Sequence, residues 1–254
     1  MVMNYFDNSD YSVVVVGAGR GIGRATADLL ASHGVSVACL DSDGVTAQAA
    51  AEAIKGRGGR AVAGRIDVAE DASIGPAIDA AARFLGRIDG LVNCAGITGN
   101  TNIKAHEVDP EDFDRVCRIN LRGAFLLSKH VLPHMLARNY GRVLHVASIA
   151  GKEGNAGMTA YSASKAGLIG MVKSMAKDYV DRGITINALA PAVIRTPMVD
   201  AMPKASQDYM TAKIPMGRCG ELEEAAQMIA WIVSPACSFT TGFTFDLTGG
   251  RATY

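Results

Sequence analysis

The chain has 254 residues, and its 25 basic and 25 acidic side chains cancel at pH 7. No positive excess draws it to nucleic acid or an anionic membrane, and no apolar run reaches the roughly 20 residues that a membrane helix needs. The length suits one large α/β unit, so residues 1–254 are read as a single domain. Five cysteines, Cys39, Cys94, Cys117, Cys219 and Cys237, are scattered with no C-x-x-C pair and no histidine at ligand spacing. Reduced buried thiols, no metal and a soluble protein of a reducing compartment, the cytoplasm, are therefore expected. The opening MVMNYFDNSDYS has acids, no basic residue and no apolar core, unlike a secretory signal.

Residues 13–16 (VVVV) form a β-branched run suited to a strand buried on both faces. GAGRGIG follows, where Gly17, Gly21 and Gly23 allow a tight turn and close approach of a pyrophosphate to the helix over residues 21–33. The next strand, residues 35–40, ends in Asp41, about 20 residues past the glycines, where a ribose-binding carboxylate belongs. Such a carboxylate accepts from both ribose hydroxyls and repels a 2′-phosphate, which favours NAD over NADP. Capping the following helix is the other use open to Asp41.

A helix over 46–55, a strand over 60–66, a helix over 70–85 and a strand over 88–93 come next. A continuous helix is predicted from Glu111 to about Arg138, with Asn120 inside it, where asparagine is mildly unfavourable. The strands at 142–147 and 183–189 flank SIAGKEGNAGMTAYSASK, residues 148–165. If that stretch is helical from Met158, Tyr161 and Lys165 share a face with Cβ atoms roughly 5–6 Å apart. A neighbouring ammonium favours the phenolate and lowers the tyrosine pKa, and Ser148 is placed to hydrogen-bond a substrate oxygen. Residues 192–216, with Pro197, Pro203 and Pro215 and with Met198, Met202 and Met210, lack strong periodicity and suit a substrate lid. A helix over 221–233 and a strand over 242–247 complete the alternation, which implies a Rossmann-type, doubly wound parallel sheet of about seven strands with ligands at the C-terminal strand ends.

The glycine turn, Asp41, Asn93-Cys94-Ala95-Gly96, Asn120, Ser148, Tyr161 and Lys165, in this order and spacing, resemble the short-chain dehydrogenase/reductase family over roughly residues 11–250. The resemblance implies a catalytic set of Asn120, Ser148, Tyr161 and Lys165, with Asn120 maintaining a water relay. It implies an NAD site at Gly17, Arg20, Gly21, Ile22, Gly23, Asp41, Asp67, Val68, Asn93, Ala95, Gly96, Tyr161, Lys165, Pro191, Val193, Ile194 and Thr196. Asp67 and Val68 meet the adenine, and main chain beyond Pro191 with the Thr196 hydroxyl holds the carboxamide. Arg20 speaks the other way, because NADP-using relatives often carry Arg there.

Two departures from the family pattern stand out: Cys94 replaces a second Asn whose hydrogen bond steadies the central strand, and Ala192 replaces a Gly. The resemblance also implies a homotetramer, for which the face with Phe125 and Leu126 and the helix beginning near Met158 are candidate contacts. Ser148, Lys152, Asn155, Tyr161 and Arg195, with Glu153, are expected near the substrate, and Arg251 to reach a neighbouring subunit's site, although solvated surface charge explains these charged groups equally well. They suggest a small hydroxylated substrate such as a sugar acid or polyol, interconverted between secondary alcohol and ketone. A 3-oxoacyl-thioester (acyl-carrier-protein) reductase is the competing enzyme, and a non-catalytic NAD(H)-binding sensor or scaffold the competing class.

Overall fold

A computed structural model of the protein describes residues 5–6, 10–201, 203–252 and 254. Met202 lies outside these, as do the side chains of Pro197 and Met198. Seven parallel strands form one sheet: β1 (Ser12–Val16), β2 (Ser36–Asp41), β3 (Ala61–Arg65), β4 (Gly90–Asn93), β5 (Gly141–Val146), β6 (Ile184–Pro191) and β7 (Thr244–Leu247). Their order is β3-β2-β1-β4-β5-β6-β7, so the winding reverses between β1 and β4. Ligands bind at such a switch point, beyond the carboxyl ends of the strands.

The valine run of β1 shows why the sheet is covered on both sides. Side chains alternate faces along a strand, and Val13 and Val15 join one apolar cluster while Val14 and Val16 join the other. The first layer is built with α1 (Gly21–Ser32), α2 (Gly44–Gly56) and α10 (Leu222–Ile232), through Leu30, Ile54 and Ile229. The second is built with α3 (Asp71–Leu85), α5 (Gly123–Leu136) and α7 (Thr159–Asp178), through Ile78, Leu127 and Leu168.

Three expectations are corrected. The helix predicted from Glu111 to Arg138 is broken into α4 (Pro110–Cys117), a π-helical turn (Arg118–Arg122) and α5. The wider turn, a form that often marks functional sites, rotates Asn120 inward to 1% exposure. Leu126 is buried against the sheet rather than offered to another subunit, and only Phe125 of that pair is exposed. Within the lid segment, α8 (Pro197–Asp200) and α9 (Lys204–Thr211) give regular structure where none was expected; the short α6 (Ala150–Glu153) likewise precedes α7.

The cap of α2 is Asp43, whose Oδ1 accepts from Val45 N at 3.0 Å and Thr46 N at 3.3 Å. Asp41 is thereby free of that duty. Asp43→Ala is expected to cost about 0.5–2 kcal/mol, lowering Tm by a few degrees in a chain of this size. Thermal unfolding with Tm unchanged would show that the cap contributes nothing.

Candidate active site

The carboxyl ends of β1, β2 and β4 open onto a cleft of about 740 Å³. Gly17, Arg20, Gly21, Ile22, Gly23, Asp41, Asp67, Val68, Ala95, Gly96 and Thr196 line it, all of them expected from the sequence. Glycine is required at two points of the turn. Gly17 has φ +79°, and a Cβ there would lie 3.0 Å from Ala95 N; a Cβ on Gly23 would fall 2.1 Å from Gly17 O. The N-terminus of α1 has no side-chain cap and no acid in its first turn, so its N–H groups remain available to an anion.

Asp41 ends β2 at 8% exposure, with Oδ2 accepting from Gly19 N at 2.9 Å and Oδ1 from Asp43 N at 3.0 Å. The carboxylate is thus fixed by backbone at the cleft wall. Arg20 is largely exposed and lies 3.6 Å from Asp43 rather than against Asp41. Asp67 accepts from Ala69 N at 2.9 Å, and Val68 is buried beside Gly123.

At the end of β4, Asn93 is buried; its Oδ1 accepts from Ala95 N at 3.1 Å and its Nδ2 lies 3.2 Å from His145 Nδ1. Asn120 closes the next contact: its Oδ1 accepts from Ile97 N at 2.8 Å, while its Nδ2 donates to Ile97 O at 2.9 Å and to Ser164 Oγ at 3.0 Å. Ser164 in turn donates to Tyr161 O at 2.8 Å, tying this clamp to α7. His145 and Ser164 were not singled out in the sequence; a polar residue inside the apolar run RVLHVA was the available signal for the first.

The three side chains expected to form the catalytic set with Asn120 converge from two elements. Ser148 follows β5 and stands close enough to Tyr161 of α7 to lower the pKa of its phenol. Lys165, one turn on, places Nζ 5.7 Å from the Tyr161 ring centroid and 2.7 Å from Val146 O, which it donates to. A Cβ on Gly96 would come within 3.3 Å of that Nζ, so the lysine lies just behind the cleft wall.

At the end of β6, Pro191 O accepts from Ile149 N at 3.0 Å, and beyond it Val193 O accepts from Gly220 N at 3.0 Å; Ile194 is buried and Thr196 lines the cleft. The charged groups expected around the substrate are mostly paired. Lys152 donates to Asp246 at 2.7 Å and to the Tyr254 carbonyl. Arg251 contacts Glu153 at 2.9 Å and Asn155 at 2.8 Å. Arg195 is half exposed, 3.5 Å from Asp200 and 3.3 Å from Glu221.

Residues 17–251 match the family model described as enoyl-(acyl carrier protein) reductase. The 2-dehydro-3-deoxy-L-rhamnonate dehydrogenase (NAD(+)) of Sphingomonas sp. (strain SKA58) is 42% identical over 95% of each chain. The 3-oxoacyl-(acyl-carrier-protein) reductase FabG of Thermotoga maritima is 36% identical over 93% of this chain and 96% of its own. The chain belongs to the short-chain dehydrogenase/reductase family. It is accordingly an oxidoreductase acting on CH–OH groups. Among solved structures of this kind, levodione reductase superposes with a TM-score of 0.92 at 32% identity, over 97% of this chain and 99% of that one.

In this dehydrogenase/reductase the electrostatics of the free site depart from the simplest expectation. Burial pushes the Tyr161 phenol above its usual range, and Ser148 offsets this only in part. Lys165 is itself desolvated, its pKa lowered from 10.5 to about 8, with the Cys94 thiol acting weakly in the other direction. In the free protein burial, rather than Lys165, sets the direction of the Tyr161 shift. A lysine that binds its proton less tightly when folded favours folding more as pH rises from about 8 toward 10.5, because the unfolded chain holds more protons across that window. Carbon-detected NMR of labelled lysine should show Lys165 titrating near pH 8; a midpoint at the ordinary lysine value would contradict the burial seen here.

Proposed function

We propose that this family member is an NAD-dependent dehydrogenase interconverting a secondary alcohol and a ketone on a small polar substrate, a sugar acid or polyol. The observation that carries the reading is the meeting of the Tyr161 hydroxyl with Ser148, and of Lys165 with the wall of a glycine-lined cleft. The residues fit the dinucleotide. The turn has no room for a Cβ at Gly23, α1 offers uncapped N–H groups to a pyrophosphate, and the fixed Asp41 carboxylate accepts from the adenosine ribose hydroxyls and opposes a 2′-phosphate. Asp67 and Val68 bound the adenine side; the main chain at Pro191, Val193 and Ile194, with Thr196, bounds the carboxamide side.

Bound there, the nicotinamide would supply the acceptor for the hydride of the carbinol carbon. The protein supplies the rest. Tyr161 removes the hydroxyl proton in the oxidative direction and returns it in the reductive one. Ser148 donates to the substrate oxygen and orients the phenol. Lys165 provides positive charge beside Tyr161 and a donor to the nicotinamide ribose, and Asn120 holds Ile97 and Ser164 so that the proton leaves toward solvent. Residues 192–216, with α8 and α9, form the substrate lid, and the half-exposed Arg195 at its start is the cation offered to a substrate carboxylate. No helix among the described residues is long and apolar enough to cross a membrane; five unpaired cysteines support a cytoplasmic location. Exposed Phe125 on α5 and Phe243 beside β7 support a homotetramer.

Tyr161→Phe should lower kcat by about 10²–10⁴-fold, the usual worth of a general acid–base group, with NADH binding retained; full turnover in the variant would remove Tyr161 from its role. Asp41→Ser should narrow the preference for NAD over NADP in steady-state assays, and an unchanged ratio would place discrimination elsewhere. Sugar acids, polyols and 3-oxoacyl thioesters assayed side by side decide the substrate class. Exclusive use of thioesters would replace this reading with a 3-oxoacyl-thioester reductase, and NADH binding without turnover of any of them would leave a sensor or scaffold.

A further inference from the structure

We infer that His145 is a positioning residue for the cofactor side of the active site, acting through Asn93 to set the turn of residues 93–96 on which the nicotinamide ribose would lie. The inference rests on the dehydrogenase reading and adds to it a residue of this chain that touches neither cofactor nor substrate.

His145 is fully buried on β5, directly opposite Asn93 of β4 in the register of the sheet. The donors and acceptors around it admit one arrangement. Asn93 Oδ1 is committed as acceptor to Ala95 N, so the other end of that carboxamide is its NH2 group, a donor. His145 Nδ1, 3.2 Å away, must accept, which leaves the ring proton on Nε2. Nε2 lies 2.9 Å from Ser128 Oγ, and Ser128 passes its own proton to Ala124 O at 3.0 Å. Every polar atom of the His145, Asn93 and Ser128 side chains is thus given a partner within a buried chain running from α5 to the cleft. Burial also keeps the imidazole neutral, its pKa depressed to about 3, with Lys165 adding to the effect. A charged ring would turn an N–H against the Asn93 NH2 group.

The far end of this chain is the active site. Ala95 and Gly96 line the cleft, and a Cβ on Gly96 would sit 3.1 Å from Asn120 Oδ1 and 3.3 Å from Lys165 Nζ. A rotation of the Asn93 carboxamide therefore moves the wall that Asn120 and Lys165 abut. Small displacements of this kind remote from the chemistry are costly. The same strand carries Val146, whose carbonyl holds Lys165. Since Cys94 occupies the place where family members carry a second asparagine, His145 supplies the anchorage of the strand end from the neighbouring strand.

The test compares three substitutions. His145→Asn keeps an acceptor near the position of Nδ1, His145→Gln places its amide near Nε2, and His145→Leu fills the space without either. NADH affinity by fluorescence, KM for NAD and kcat are measured beside Tm. His145→Leu and His145→Gln are expected to weaken NADH binding and raise KM by on the order of tenfold to a hundredfold, with kcat falling less, and His145→Asn to stay within about threefold of the parent. Nitrogen NMR of the unsubstituted protein should place the proton on Nε2. Equal losses in all three variants, losses that follow Tm alone, or a proton on Nδ1 would overturn the inference. Failure of the unsubstituted chain to bind NADH would instead overturn the dehydrogenase reading; the nitrogen spectrum, with the Ala95 and Gly96 amide shifts in the Asn and Leu variants, would still decide the role of His145.

Discussion

A lysine ammonium held at 4% exposure, with a backbone carbonyl as its hydrogen-bond acceptor, is the constraint on which the end of the sheet around Tyr161 depends. Removing such a charge from water costs several kcal/mol unless polar groups receive it, and here burial has already drawn the pKa of Lys165 down to about 8. The surroundings are arranged to keep it in place. Val146 presents its carbonyl from the end of β5, Gly96 leaves room that a side chain would fill, and Asn120 and Ser164 brace the turn from which it projects. A second anion in the cleft, such as the dinucleotide phosphates, raises the ammonium's tendency to hold its proton by the same Coulomb argument. Ligand binding and the charge state of the site are in this way coupled.

Much of this was legible in the sequence, and the reason is periodicity. A buried parallel strand needs an unbroken β-branched run, so VVVV at residues 13–16 marked β1, and after it Gly17 and Gly23 marked the cleft because a Cβ at either would meet backbone atoms. The pairing of Tyr161 with Lys165 could be read because their spacing carries geometry: the two do share a helix face. What could not be read depends on partners distant in the chain. Nothing in the residues around Asn120 announces a π-helical turn, because the pull that sustains it comes from Ile97 and Ser164. The same holds for Lys152 and Arg251, which look like free cations until Asp246 and Glu153 are brought beside them. Asp41 and Asp43 are two residues apart and equally good caps on paper; the fold assigns the cap to the second and the cleft to the first.

The double core has an energetic corollary. Because alternate residues of β1 feed two separate apolar layers, a substitution such as Val14→Ala opens space on the side of α3, α5 and α7, and Val15→Ala on the side of α1, α2 and α10. Residues far apart without shared partners behave additively, whereas neighbours within one layer couple. The strand is thus a shared wall between two packing problems, and its backbone is the part that neither can move alone.

The strand order also bears on how the chain acquires its shape. β1 stands between β2, which follows it closely, and β4, whose entry into the sheet joins residues as far apart as Ser12 and Asp89. As the polypeptide leaves the ribosome, β1, β2 and β3 can assemble with α1 and α2 while the opposite edge of the most valine-rich strand stays bare. Unsatisfied edges of this kind are where nascent chains stick to one another, and distant pairings form slowly. The interval before β4 arrives is the period in which this protein has most need of protection by a chaperone.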